Sequence, residues 1–122
     1  MIDDEAMVCR ALSRALGRTF DVTCVGDAES ALALLDGGQR FHAILCDLHM
    51  GTGIGGRELY DRVLARADGH AARTIIMSGE PPDEEAPFDR ALSDRWLVKP
   101  TPVPDLLALL ERIATPADER AA

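Results

Sequence analysis

Short apolar runs alternate along this chain with amphipathic stretches of helical period, and that alternation restricts the fold more than any single residue does. Residues 5–16 place Val8, Ala11, Leu12, Ala15 and Leu16 at helical spacing, with Gly17 as a stop. Residues 20–25 alternate and are rich in β-formers, which predicts a strand. Helical spacing returns over residues 28–35 and ends at Asp36, Gly37 and Gly38, and residues 41–46 read as a buried strand. A glycine-rich stretch at 51–56 leads to a helix over about 57–66. Strands at 74–77 and 96–98 and a last helix over 104–114 complete the pattern. Strand then helix, repeated, implies a doubly wound α/β domain: a parallel sheet with helices on both faces.

At 122 residues the chain can build one core but not two. The reading is a single domain over 1–114, with a short or truncated first strand, and a polar tail at 115–122. Aromatics are only 4% of the residues, so the core must come from Leu, Ala, Val and Ile. A net charge of -8 argues against nucleic acid, whose binding is driven by Lys and Arg neutralising phosphates, and points to a cation or a basic partner. No apolar run approaches the roughly 20 residues of a membrane helix, and no secretory leader is evident, so a cytoplasmic location without membrane contact is expected. Cys9, Cys24 and Cys46 are odd in number, widely spaced and set among apolar neighbours. Buried, reduced thiols are expected rather than a disulfide framework or a zinc knuckle.

Parallel sheets bind ligands beyond the carboxyl ends of their strands. That rule gathers Asp3 and Asp4 from the first expected strand, Asp47 from the third, Ser78 from the fourth and Lys99 from the fifth at one rim. Lys99 is the only lysine against twelve arginines, and a compact ammonium suits close contact with a carboxylate or phosphate better than a planar fork does. A carboxylate that attacks phosphorus must have the charge of the phosphoryl oxygens cancelled. Clustered acids need a cation as well, and Mg²⁺ matches hard oxygen ligands with a phosphate oxygen among them.

Plainer readings stand beside these. Asp3 and Asp4 could cap the first helix, although a cap explains neither Asp47 nor Lys99. Ser78-Gly79 could be an ordinary turn, Trp96 a core aromatic and His49 a solvated loop residue. The glycine run lacks the lysine and hydroxyl residue of a nucleotide cradle and reads as a flexible loop.

Four pieces, Ile2-Asp3-Asp4-Glu5, Cys46-Asp47-Leu48-His49-Met50, Ile75-Ile76-Met77-Ser78-Gly79 and Leu97-Val98-Lys99-Pro100, occur in an order and at strand ends that make the whole chain resemble the receiver domains of two-component response regulators. The resemblance implies a flavodoxin-like sheet of five parallel strands in the order 2-1-3-4-5. It implies Asp47 as the aspartate phosphorylated by a sensor histidine kinase or a histidine phosphotransfer protein. Mg²⁺, or another divalent cation, would be held by Asp4 directly, by Asp3 through water, by Asp47 and by the backbone carbonyl of His49. Lys99 would pair with Asp47 and then with the phosphoryl group. Ser78 would contact that group, and Trp96 would occupy the aromatic position that moves with the switch. His49 and Glu80 would flank the path of hydrolytic water.

Departures from the family pattern are legible too. Only Met1 and Ile2 precede Asp3, which favours a receiver excised from a hybrid histidine kinase over a freestanding one. Gly51 stands where a proline is common, and Pro81, Pro82 and Pro87 predict a short or irregular fourth helix. The domain is expected to assist its own phosphorylation without being a turnover enzyme. The alternatives are a receiver-like interaction module that is never phosphorylated, and a Mg²⁺-dependent aspartyl phosphatase. The phosphatase is disfavoured because Asp47 is followed by Leu48 and His49 rather than by a second aspartate two positions on.

Overall fold

The computed structural model describes residues 1–50 and 53–114; the expected tail at 115–122 lies outside them, as do Gly51 and Thr52. Among the described residues, strands β1 (Ile44–Asp47), β2 (Thr74–Ser78) and β3 (Trp96–Val98) form one parallel sheet in that order. The helices are α1 (Ala6–Leu16), α2 (Ala28–Asp36), α3 (Gly56–Arg66), α4 (Pro87–Ala91) and α5 (Val103–Ala114). Register aligns Asp47 with Met77 and Ser78 with Val98, so β1, β2 and β3 finish side by side.

Period-two alternation divides the core between two faces. Ile44, Cys46 and Ile76 pack with Ala31, Leu35, Leu59, Val63 and Leu92, from α2, α3 and the end of α4. Leu45, Ile75 and Met77 pack with Leu16 of α1 and Leu106 and Leu110 of α5. Covered on both sides, β2 is buried at every position, which is why it reads as a continuous apolar run. α2 starts at Asp27, whose carboxylate accepts the Ser30 amide at 2.7 Å and so satisfies a free helix-start donor. α4 is the short helix that the prolines announced: Pro87 opens it, and it runs for five residues.

Residues 20–25 depart from expectation. They are not a strand; Val25 alone bridges to Ile2, and Ile2 bridges to Cys46 on its other side. A strand is a property of a pair, and among the described residues the pairing here is limited to single bridges at Ile2. The Met1 amino group donates to the Thr23 carbonyl at 2.7 Å, and the Ile2 amide to that of Leu45 at 2.7 Å.

The cysteines also depart from expectation. Cys9 and Cys24 are joined by a disulfide, with Cα atoms 6.2 Å apart, while Cys46 is free and buried. All three were expected to be buried, reduced thiols; Cys9 and Cys46 are buried, but Cys24 is exposed and paired with Cys9, which depends on how α1 lies against the segment before Val25.

Leu92 is fully buried and fastens the end of the five-residue α4 to the sheet. Replacing it with alanine is expected to lower the unfolding free energy by about 2–5 kcal/mol, read from urea denaturation midpoints at unchanged slope. A loss below about 0.5 kcal/mol would show that α4 is held by something else.

Candidate functional site

The chain leaves each of β1, β2 and β3 at the same rim, and the polar residue at each exit is one singled out from the sequence. Asp47 ends β1 and Ser78 ends β2, both buried, and Lys99 follows β3. The Lys99 amide donates to the Ser78 carbonyl at 2.7 Å, carrying the ladder one residue past β3. Asp3 joins them because its amide donates to the Val25 carbonyl at 3.1 Å and the Asp47 amide donates to the Ile2 carbonyl at 3.0 Å.

Lys99 Nζ lies 3.0 Å from Asp47 Oδ2 and 3.8 Å from Asp3 Oδ2, one ammonium shared by two carboxylates. Burial works against the charge on Lys99, but Asp47 first and then Asp3 hold its pKa above the ordinary lysine value. Asp3 is shifted the other way. Desolvation raises its carboxyl above the usual range, against the lowering effects of the Glu5 amide and Lys99, and the neighbouring Asp47 adds to the rise. Its Oδ1 accepts the Glu5 amide at 2.9 Å. Its Oδ2 is buried and accepts no hydrogen bond, so the 3.8 Å approach of Lys99 is its recorded compensation.

That unsatisfied oxygen tests whether the site suits a cation. One carboxylate oxygen from each of Asp3, Asp4 and Asp47 lies within 4.8 Å of the other two, with Asp4 exposed and the others buried. Three hard oxygen donors open to water on one side fit a small divalent ion that keeps part of its hydration shell. Asp47 Oδ1 also accepts the His49 amide at 3.3 Å. His49, itself exposed, thus meets Asp47 through its backbone.

Ser78 and Trp96 are joined through one intervening residue. Ser78 Oγ accepts the Glu80 amide at 3.2 Å, and the Trp96 indole Nε1 donates to the Glu80 carbonyl at 2.9 Å. Trp96 is buried and meets Phe88 edge to face at 6.3 Å; Phe88 in turn meets Tyr60 at 5.7 Å and carries the Arg57 guanidinium 4.7 Å over its ring. Arg57 continues to the buried Asp89 at 2.9 Å.

One positioning residue was not separated from its surroundings in the sequence. Gly56 is buried at the start of α3, its amide donating to the Leu48 carbonyl at 3.1 Å, and a Cβ there would stand 3.0 Å from the Asp47 carbonyl oxygen. The last glycine of the run therefore lets α3 close on the backbone that follows Asp47. Its signal was its place directly before a helical pattern.

No protein-family model matches the chain. A 50-residue stretch, 41% of the chain, is 48% identical to the hydrogenase transcriptional regulatory protein HoxA of Bradyrhizobium diazoefficiens. That match spans only 10% of HoxA. Among solved structures, the chemotaxis protein CheY4 of Vibrio cholerae is 25% identical with a TM-score of 0.77, covering 92% of this chain and 93% of that one. The receiver domain of Francisella response regulator 1452 is 19% identical with a TM-score of 0.79, covering 99% and 95%. The signal receiver domain of an HD domain-containing protein from Pseudomonas fluorescens is 20% identical with a TM-score of 0.77, covering 92% and 89%. In its strand-end motifs and in its fold, over nearly its whole length, this chain resembles the receiver domains of two-component response regulators.

Proposed function

We propose that this chain is the phosphoacceptor of a two-component phosphorelay, taking a phosphoryl group from a phosphohistidine onto Asp47. The observation that carries the reading is the Lys99 ammonium 3.0 Å from Asp47, beside the Asp3–Asp4–Asp47 carboxylate group. In the transfer, an Asp47 carboxylate oxygen forms a bond to phosphorus as the bond from phosphorus to the donor imidazole breaks, and the imidazole keeps that electron pair. Most of the catalysis in such a step is positioning and charge stabilisation. Lys99 and the His49 amide hold the two Asp47 oxygens in place before the donor arrives. As charge moves onto the phosphoryl oxygens, Lys99 is near enough to follow it.

Asp3, Asp4 and Asp47, with the His49 carbonyl, are the proposed holders of Mg²⁺ or another divalent cation. When bound, such an ion would supply positive charge that offsets the carboxylates and the incoming phosphoryl group. Ser78 is the proposed hydroxyl partner of the phosphorylated state. Its link through Glu80 to Trp96 supports a change in the surface around the indole. The single bridges of Ile2 to Val25 and Cys46 support a 2-1-3-4-5 arrangement in which the first two strands are reduced to their rim ends.

Phosphorylation is read as stoichiometric rather than as turnover. A sensor histidine kinase or a phosphotransfer protein is the proposed donor, and neither nucleic acid nor membrane is a proposed direct partner. No helix among the described residues is long and apolar enough to cross a membrane, and the cytoplasm is the proposed compartment.

Incubation with Mg²⁺ and acetyl phosphate is expected to add one phosphoryl group to the wild type and none to Asp47→Asn, read by intact mass. An unmodified wild type would support the interaction-module reading. Continued release of inorganic phosphate over many cycles would support the phosphatase.

Asp3→Asn removes a buried charge that is costly without a cation. The metal-free variant is expected to melt above the wild type at pH 7, yet to lose the Mg²⁺-dependent rise in melting temperature that the wild type shows. A lower melting point without metal would show that Asp3 is needed for the fold itself.

Ser78→Ala is expected to leave Asp47 able to accept a phosphoryl group while abolishing the accompanying change in Trp96 fluorescence. An unchanged fluorescence response would remove Ser78 from the switch.

A further inference from the structure

α1 is poorly fastened for a helix that begins two residues after the acidic pair. Of its eleven residues only Cys9 and Leu16 are buried, and its N-cap position, Glu5, makes no side-chain capping bond. Leu16 anchors the far end in the core beside Leu45 and Leu110. The near end is held by the Cys9–Cys24 disulfide.

That bond closes a ring of contacts around Asp3. Cys24 precedes Val25, whose carbonyl accepts the Asp3 amide at 3.1 Å. From Cys9 the helix runs back to Glu5, whose amide donates to Asp3 Oδ1 at 2.9 Å. A cleft of about 270 Å³ opens along this ring, with Asp3 and Asp4 at one side and Cys9 and Cys24 at the other. Both bonds that orient Asp3, at its amide and at its carboxylate, thus come from elements that the disulfide ties together.

The two sulfurs differ in access. Cys9 is buried, whereas Cys24 is an exposed residue that a solution thiol or disulfide can reach. Cys46, the third cysteine, is free and fully buried in the core, out of reach of solution reagents. In a reducing compartment a disulfide is transient and serves sensing or catalysis more often than permanent support.

We propose that Cys9 and Cys24 form a reversible thiol–disulfide switch that sets the divalent-cation affinity of the Asp3–Asp4–Asp47 group. The proposal rests on the phosphoacceptor reading for its biological consequence. Oxidation proceeds with a low-molecular-weight disulfide such as oxidised glutathione as the oxidant. The Cys24 thiolate attacks one glutathione sulfur, forming a mixed disulfide and releasing one glutathione thiolate. The Cys9 thiolate then attacks the Cys24 sulfur and releases the second. The two cysteines lose two protons to solvent and two electrons to the glutathione sulfurs, and a dithiol reverses both steps. With the bond formed, the ring is closed and Asp3 is held at both ends; with it broken, the first turns of α1 are released and the carboxylates lose their fixed spacing.

The test compares the wild type treated with oxidised glutathione and with dithiothreitol. Thiol alkylation after denaturation counts the free cysteines, and Mn²⁺ affinity is measured by calorimetry after the reagents are removed. One free thiol is expected in the oxidised form and three in the reduced form. Reduction is expected to weaken Mn²⁺ binding roughly tenfold, the scale on which loss of groups supporting metal ligands acts. Amide hydrogen exchange over residues 6–10 is expected to quicken as well. The double variant Cys9→Ser with Cys24→Ser should bind Mn²⁺ as the reduced wild type does and ignore both reagents. Three free thiols after oxidation, or equal affinity in the two forms, would overturn the switch and leave the phosphoacceptor reading standing. No Mn²⁺ binding in either form would overturn both.

Discussion

One ammonium between two carboxylates organises the rim of this molecule. Lys99 comes 3.0 Å from Asp47 at the end of β1 and 3.8 Å from Asp3 in the segment that bridges to it at Ile2. Its position depends on the register of three strands, since Asp47 ends β1 and the Lys99 amide is tied to the carbonyl of Ser78 at the end of β2. A guanidinium would spread its charge over a fork and claim space between the acids; a point-like ammonium leaves one side of each carboxylate open. That is a physical reason for a chain with twelve arginines to keep one lysine there.

The rim is arranged at some cost to the fold. Asp3 is buried with one oxygen unsatisfied and its carboxyl raised above the ordinary range by desolvation. A buried carboxylate of this kind weakens a folded domain unless a cation compensates it. Gly56 shows the same tension in the backbone. Glycine is a poor helix residue, yet any side chain would press on the Asp47 carbonyl. Both choices make sense for a chain that must bring α3 and several like charges close to one carboxylate.

How much could be read beforehand depended on whether a feature was local. β1, β2, β3 and the rim residues were legible because each strand is an apolar run ending in one polar residue, and parallel order carries those ends to one side. The helices were legible by their period, and the brevity of α4 by its prolines. Residues 20–25 were misread because local β-preference cannot supply a neighbour, and among the described residues only Val25 bridges to Ile2. The Cys9–Cys24 pairing was hidden for a related reason: it depends on where α1 lies, which neither cysteine's own neighbourhood encodes. The role of Gly56 was masked by the glycines before it, which made a close approach look like mere flexibility.

The contacts beyond Ser78 form a continuous chain from the rim to α4. Ser78 and Trp96 do not need to touch, because Glu80 offers its amide to one and its carbonyl to the other. On the proposed reading, a shift of the hydroxyl toward a phosphoryl group pulls on the peptide group before the Glu80 Cα, while the indole holds the peptide group after it. Trp96 cannot turn alone, since its edge-to-face partner Phe88 sits in α4 and is packed by Tyr60 and Arg57 from α3. Arg57 is in turn paired with the buried Asp89 of α4. On the proposed reading, the unit that moves is the whole of α4 with its aromatic contacts. Its five residues and proline start make it the shortest α-helix among the described residues, with few internal hydrogen bonds to resist that motion.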